Sequence, residues 1–168
     1  MEGMASSFAA RAALALLGVA FFCTAAKAED YSGSRPPKAD VPYLLHAGSL
    51  LSTEVLEAKE ENRKDVTVFV VPGAASPVKT PMAEPIFIFT SDKIAADTLR
   101  LYRLTVNGAN REVSGGGKKK KGAAVPLRLT VTQLGDRLYR VEAYESLDPG
   151  EYSLSPNGSN EAFCFSVY

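Results

Sequence analysis

From Val41 onward the chain is written in short apolar runs separated by glycine and proline, and no run after residue 65 carries a helical period of 3.6. This spacing constrains the fold more than any other feature, because short strands punctuated by turn residues must pair into sheets. The most regular run places Val125, Leu127, Leu129 and Val131 on one face and Arg128, Thr130 and Thr132 on the other, an alternation that marks a half-buried strand. Gly135-Asp136 turns the chain, and Tyr139, Val141 and Ala143 repeat the inward face opposite Arg140 and Glu142. Tyr152 and Leu154, then Phe163, Phe165 and Val167, continue the series. Residues 66–71 and 86–89 are apolar on both faces, the second run suiting a central strand. A strand over 99–106 is turned back at Asn107-Gly108, both of which accept positive φ. The expected fold is all-β, an antiparallel Greek-key β-sandwich over residues 41–168.

One stretch supports two readings. Residues 52–64 are rich in Glu, Lys, Leu and Ala, which favours a short helix near 52–62 capped by Ser52 or Thr53. Residues 59–65 equally suit the charged tip of a hairpin leading into the next strand. Both readings stand open on sequence grounds.

Leu147-Asp148-Pro149-Gly150-Glu151-Tyr152 resembles the L-x-P-G-x-Y corner of Greek-key sandwiches, including immunoglobulin-like and transthyretin-like modules. The resemblance implies an immunoglobulin-like sandwich in which Pro-Gly turns the chain between sheets and the tyrosine hydroxyl caps unpaired backbone groups. It implies no activity, since such corners serve unrelated functions. Taken whole, the chain also resembles small exported bacterial proteins.

The N-terminus carries an export pattern. Arg11 precedes an apolar run over residues 12–22, too short for a membrane span of roughly 20 residues. Ala26-Lys27-Ala28 then supplies small residues at the positions a signal peptidase reads before Glu29. The expected organisation is a signal peptide over 1–28, a flexible leader over 29–40, and one domain with no transmembrane segment, placed in the periplasm or secreted. Phe21 and Phe22 precede Cys23 where a lipoprotein signal needs small residues, so no lipid anchor is expected. Cleavage leaves Cys164 without a disulfide partner, and its place between Phe163 and Phe165 reads as a packed small residue.

Motifs for chemistry are sparse. His46, the only histidine, has no G-x-S-x-G serine or other triad signature beside it, and one histidine with one mature cysteine does not suit a metal site. No catalytic residue, cofactor or metal is therefore expected. Glu54, Glu57, Glu60, Glu61, Asp136, Glu142 and Glu145 could in principle serve a carboxylate-dependent hydrolase. Their ordinary role is solvated charge.

The most distinctive segment is Gly-Gly-Gly-Lys-Lys-Lys-Lys-Gly, read as a mobile loop over 114–124. Lys118, Lys119, Lys120 and Lys121 could grip an anionic surface, each contributing about 1 kcal/mol near an anionic membrane. Alternatively they are a solvated hairpin tip that keeps strand edges apart. A formal net charge of zero argues against a nucleic-acid partner. The leading expectation is an exported, non-catalytic binding or accessory domain of the cell envelope, with an envelope protein or polysaccharide as partner. Loops 72–85 and 114–124 are the expected contact regions. A structural envelope subunit assembling through strand edges is the second expectation, and the hydrolase the third.

Overall fold

A computed structural model describes residues 31–117 and 122–168; the export segment and Lys118, Lys119, Lys120 and Lys121 lie outside the described residues. Among the described residues the chain forms thirteen strands, one 3-10 turn (Ala96–Thr98) and no α-helix. No helix there is long and apolar enough to cross a membrane.

The smaller sheet holds β1 (Tyr43–His46), β2 (Ser49–Ser52), β7 (Ile86–Thr90), β10 (Leu129–Gly135) and β11 (Leu138–Ala143), in the order β10-β11-β7-β1-β2. As expected of a doubly apolar strand, β7 is central, pairing with both β1 and β11 and burying Phe87, Ile88 and Phe89. The larger sheet runs β3 (Glu54–Glu57), β13 (Glu161–Val167), β12 (Gly150–Pro156), β8 (Leu99–Asn107), β9 (Asn110–Gly117), β5 (Val66–Pro72) and β4 (Lys59–Arg63). Its strands are antiparallel apart from the two-residue β6 (Lys79–Thr80), which lies parallel to β13. Phe87, Tyr152, Phe163 and Phe165 fill the core between the two sheets.

The larger sheet is curled. Its path begins with β3 and ends with β4, yet only Ala58 separates these two strands in the chain. One continuous segment thus pairs with β13 through Val55 and Leu56 and with β5 through residues 59–63, drawing the two ends of the sheet toward each other into a half-barrel. A second core cluster sits inside the curl, built from Ala58, Val71, Leu104, Ala162 and Cys164 with Leu56, Phe69 and Val113 against it.

This arrangement decides between the two readings of residues 52–64: the segment is strand, and the hairpin reading holds. Lys64 and Asp65 both adopt positive φ, at 48° and 69°, the conformation of a two-residue type I′ hairpin turn. Helix propensity is a local and weak preference. Here it loses to pairing with β5 and to ion pairs that strand geometry permits, Arg63 with Glu61 at 2.7 Å and with Glu112 at 2.9 Å.

Three further expectations are corrected. Strand β9 runs on through Gly117 and pairs with β5, so residues 114–117 of the loop expected over 114–124 are strand. The inward face expected from Val125 begins instead at Leu129: Val125 is 85% exposed, and Leu127 makes only an isolated bridge to Leu101. Pro126 explains this, since it has no N–H to give a ladder, and the chain here is crossing from one sheet to the other. Finally, the leader is anchored at its end. Asp40 donates its amide to Thr90, and its carboxylate accepts from the amides of Asp92, Lys93 and Ile94. Burial raises the Asp40 pKa, and those amides with Lys93 more than reverse it, leaving it lowered.

The tyrosine corner is formed. Residues 147–150 carry the chain from β11 in one sheet to β12 in the other, and the Tyr152 hydroxyl donates to the Asp148 carbonyl at 2.7 Å. Arg103 donates to the Pro149 carbonyl at 3.0 Å and packs on Gly150, where a Cβ would lie 3.3 Å from its guanidinium. Tyr152→Phe leaves the Asp148 carbonyl without this donor, with an expected loss of about 1–2 kcal/mol in urea unfolding. An unchanged midpoint would show that water replaces the hydroxyl.

Candidate functional site

The curl leaves a cavity where β8 changes partners. β8 pairs with β12 over residues 99–104 but with β9 only at Thr105, Val106 and Asn107, so β8 and β9 diverge above that point. Small side chains line the gap, Ser153, Ser155, Ala123, Ala124 and Gly115, where sheet interiors usually carry Val or Leu. The resulting cavity has a volume of about 500 Å³.

Its floor is the second core: Ala58, Phe69, Val71, Leu104 and Val113. Phe69 takes its position because Gly115, against its ring, has no side chain; a Cβ there would come within 2.6 Å of the ring. Gly115 is also the extra residue of a bulge, since Gly116 pairs with Thr67 and Ser114 with Val68. The rim is polar, formed by Tyr102, Ser155, Asn157, Ser159 and Asn160 together with the carboxylates Glu60 and Glu161. No lysine or arginine among the described residues joins this lining. An apolar floor under a ring of hydroxyls, amides and carboxylates is the chemistry of a binding pocket for a ligand with one apolar face.

A buried ion cluster holds the curl closed beneath this region. Arg111 on β9 is fully buried. Its Nη2 donates to the Pro72 carbonyl at 2.8 Å and its Nε to the Gly73 carbonyl at 2.9 Å. Nη1 reaches Glu151 on β12 at 3.4 Å. Glu54 Oε2 on β3 lies 3.0 Å from Nη2, an ion-pair contact out of line for a hydrogen bond. Glu151 accepts in addition from the Ser76 amide at 2.8 Å and from the Ser166 hydroxyl. The sequence shows Glu54 only as one of several carboxylates whose ordinary role is solvated charge, and it does not point to this cluster, because its members are far apart in the chain.

The expected site residues fall as follows. Lys118, Lys119, Lys120 and Lys121 lie outside the described residues; the flanking chain is tied together where Ala124 donates to the Ser114 carbonyl and the Ser114 hydroxyl to Gly122, both at 2.8 Å. The 72–85 connection, an expected contact region, is strapped to the larger sheet. Ser76 and Thr80 are buried, Ser166 donates to the Val78 carbonyl, and Tyr168 donates to that of Thr80. His46 ends β1 in the other sheet, away from the cavity lining. Of the candidate acids, Glu60 reaches the rim, Glu54 is held by Arg111, and Glu61 pairs with Arg63, which lowers its pKa. Among the described residues no group of His, Cys, Asp and Glu could hold a metal ion.

Cys164 is a packed residue of the second core. Burial pushes its thiol pKa up to about 11, against partial opposition from Arg111 and Ser153. A thiol held neutral when folded favours the native state below its unfolded pKa of 9.0, and that contribution is lost as pH rises toward about 11. With Cys23 replaced by Ser, Cys164 becomes the sole thiol. It is expected to resist Ellman's reagent at pH 8 for as long as the protein stays folded and to react fully in denaturant. Rapid native labelling would contradict the packing described here.

Comparison with protein-family models, curated proteins and solved structures finds no match to this chain.

Proposed function

We propose that this chain is an exported, non-catalytic binding domain of the cell envelope, and that its ligand sits in the mouth of the curled sheet. The observation that carries this reading is the cavity of about 500 Å³ with an apolar floor and a hydroxyl-, amide- and carboxylate-bearing rim. The ligand is small, apolar on one side, and neutral or cationic where it meets Glu60 and Glu161. The export pattern over residues 1–28 supports a place in the periplasm or outside the cell. A binding role is favoured over a hydrolytic one by the disposition of the acids. Among the candidate acids, Glu61 is paired with Arg63, which lowers its pKa, and Glu54, like Glu151, is turned onto Arg111. An acid catalyst needs a carboxyl that holds its proton.

The chain contains no tryptophan, so Tyr102→Trp places a single indole at the rim. Titration with neutral saccharides and with amine-bearing amphiphiles should give saturable fluorescence change for at least one class. Ser155→Phe, which fills the mouth, should abolish it. Flat titrations for both classes in a folded protein would remove the cavity as the seat. The role expected of Lys118, Lys119, Lys120 and Lys121 is a separate proposal: deleting them should reduce retention on anionic surfaces at low salt and leave the indole titration unchanged.

A further inference from the structure

The curled sheet sorts its charges by face. Side chains alternate along β4, and Lys59, Glu61 and Arg63 share its outer face. There they form a chain of ion pairs: Lys59 with Glu61 at 3.6 Å, Arg63 with Glu61 at 2.7 Å, and Arg63 with Glu112 at 2.9 Å. Glu60 is the one charged residue of β4 on the inner face. It stands directly across the ladder from Phe69 and two residues from Ala58, and all three line the cavity. Among the described residues Glu60 has no hydrogen-bond or ion-pair partner. No lysine or arginine among them joins the cavity lining either. Arg100 shares the inner pleat of β8 with Tyr102 and Leu104, but it is turned onto the carbonyls of Asp97 and Leu99, both at 2.8 Å, and lines a different groove. The ion cluster beneath the cavity sets two carboxylates, Glu54 and Glu151, against one guanidinium, Arg111, so it adds negative charge. Glu161 lies at the rim on the opposite pleat from Ala162, which points into the curl. Glu60 is therefore the carboxylate aimed at the cavity. Two aromatic rings, Phe69 and Tyr102, line the same space, and ring faces attract cations.

We infer that the cavity takes a primary ammonium carried on an aliphatic chain, with the ammonium at Glu60 and the chain over Ala58, Val71, Leu104 and Val113. This rests on the cavity being the ligand's seat, and it narrows the ligand from neutral or cationic to cationic. A primary ammonium presents three donors and no acceptor. Glu60 accepts from it as a carboxylate, and the oxygens of Ser155 and Asn157 on the rim are acceptors for the remaining donors. A neutral head would cover Glu60 without pairing it, which costs free energy. An anionic head would meet Glu60 with no cation in the lining to offset the repulsion.

Calorimetric titration of the purified protein at pH 7 with octylamine, octanol and octanoate, which share a chain length and differ in head charge, is the test. Octylamine, cationic at this pH, should bind about tenfold more tightly than octanol, and octanoate should bind least. Glu60→Gln should lower octylamine affinity about tenfold, to the octanol level, and leave octanol unchanged. Glu61→Gln removes the same charge from the outer face of the same strand and should leave octylamine affinity unchanged. Ser155→Phe should abolish binding of both. Circular dichroism confirms that each variant is folded. Octylamine binding no tighter than octanol overturns the inference, and so does an affinity that ignores Glu60→Gln or falls equally with Glu61→Gln. In each of those cases, octanol binding that Ser155→Phe blocks would still support the cavity as the seat. Binding of none of the three probes also overturns the ammonium inference, and the saccharide titration of the Tyr102→Trp protein then decides the seat by itself.

Discussion

Arg111→Met is expected to destabilise the fold by about 3–5 kcal/mol, the cost of breaking a buried ion cluster from one side. The substitution keeps much of the side-chain volume but removes every donor. Glu151 and Glu54 are then left with an uncompensated charge at sites mostly closed to water, and the Pro72 and Gly73 carbonyls lose their partners. The intact cluster need not add stability beyond what an apolar plug would give, since burying charges costs nearly as much as pairing them returns. The asymmetry lies in removing one partner. Arg111→Lys should fall between the two, because an ammonium supplies charge without the planar fork that reaches carbonyls and carboxylate together.

The effect is expected to be local as well as global. Glu151 also holds the Ser76 amide, so freeing Glu151 loosens the strap that fastens residues 73–76. Hydrogen exchange in the Met variant should speed up at Ser76 under conditions where the β7 amides stay protected. Urea unfolding followed by far-ultraviolet circular dichroism measures the global term. A loss under about 1 kcal/mol would mean that the cluster is hydrated and does not close the curl.

Much of this architecture was readable where the determinants are local. Alternation along β11, β12 and β13 identified Val141, Tyr152, Leu154, Phe163 and Phe165 as inward-facing, and all are buried. The corner at Tyr152 was readable because its donor and acceptor lie four residues apart. The curl was not readable. It depends on Ala58 joining two strands whose partners, β13 and β5, lie far apart in the sequence. An arginine in a strand reads as solvent-facing until Glu54, Glu151 and the carbonyls of Pro72 and Gly73 arrive from separate segments. The cavity left a fainter trace: Ser153 and Ser155 alternate with Tyr152 and Leu154, so β12 has one packed face and one unfilled face. A face of small residues in a strand covered on both sides is a signal of space, but only the curl shows what encloses it.

Phe165→Ala carries the other large expected effect, also about 3–5 kcal/mol, and it separates the two cores that β13 serves. Phe163, Phe165 and Val167 point between the sheets, while Ala162 and Cys164 point into the curl. The Phe165 ring is fully buried, 4.9 Å centre to centre from Phe87 of the smaller sheet and 5.6 Å from Tyr152. Truncation leaves a void between sheets that a twisted β-structure cannot readily collapse. Because Tyr152 leans on this ring, Phe165→Ala should also weaken the corner, so combining it with Tyr152→Phe should cost less than the sum of the two. By contrast, Cys164→Ala removes one buried sulfur from the other face and should cost about 1 kcal/mol. If Phe165→Ala and Cys164→Ala proved equally mild, the sheets would not depend on the core between them. If Cys164→Ala were the more severe, the curl would be the principal core and the smaller sheet an accessory to it.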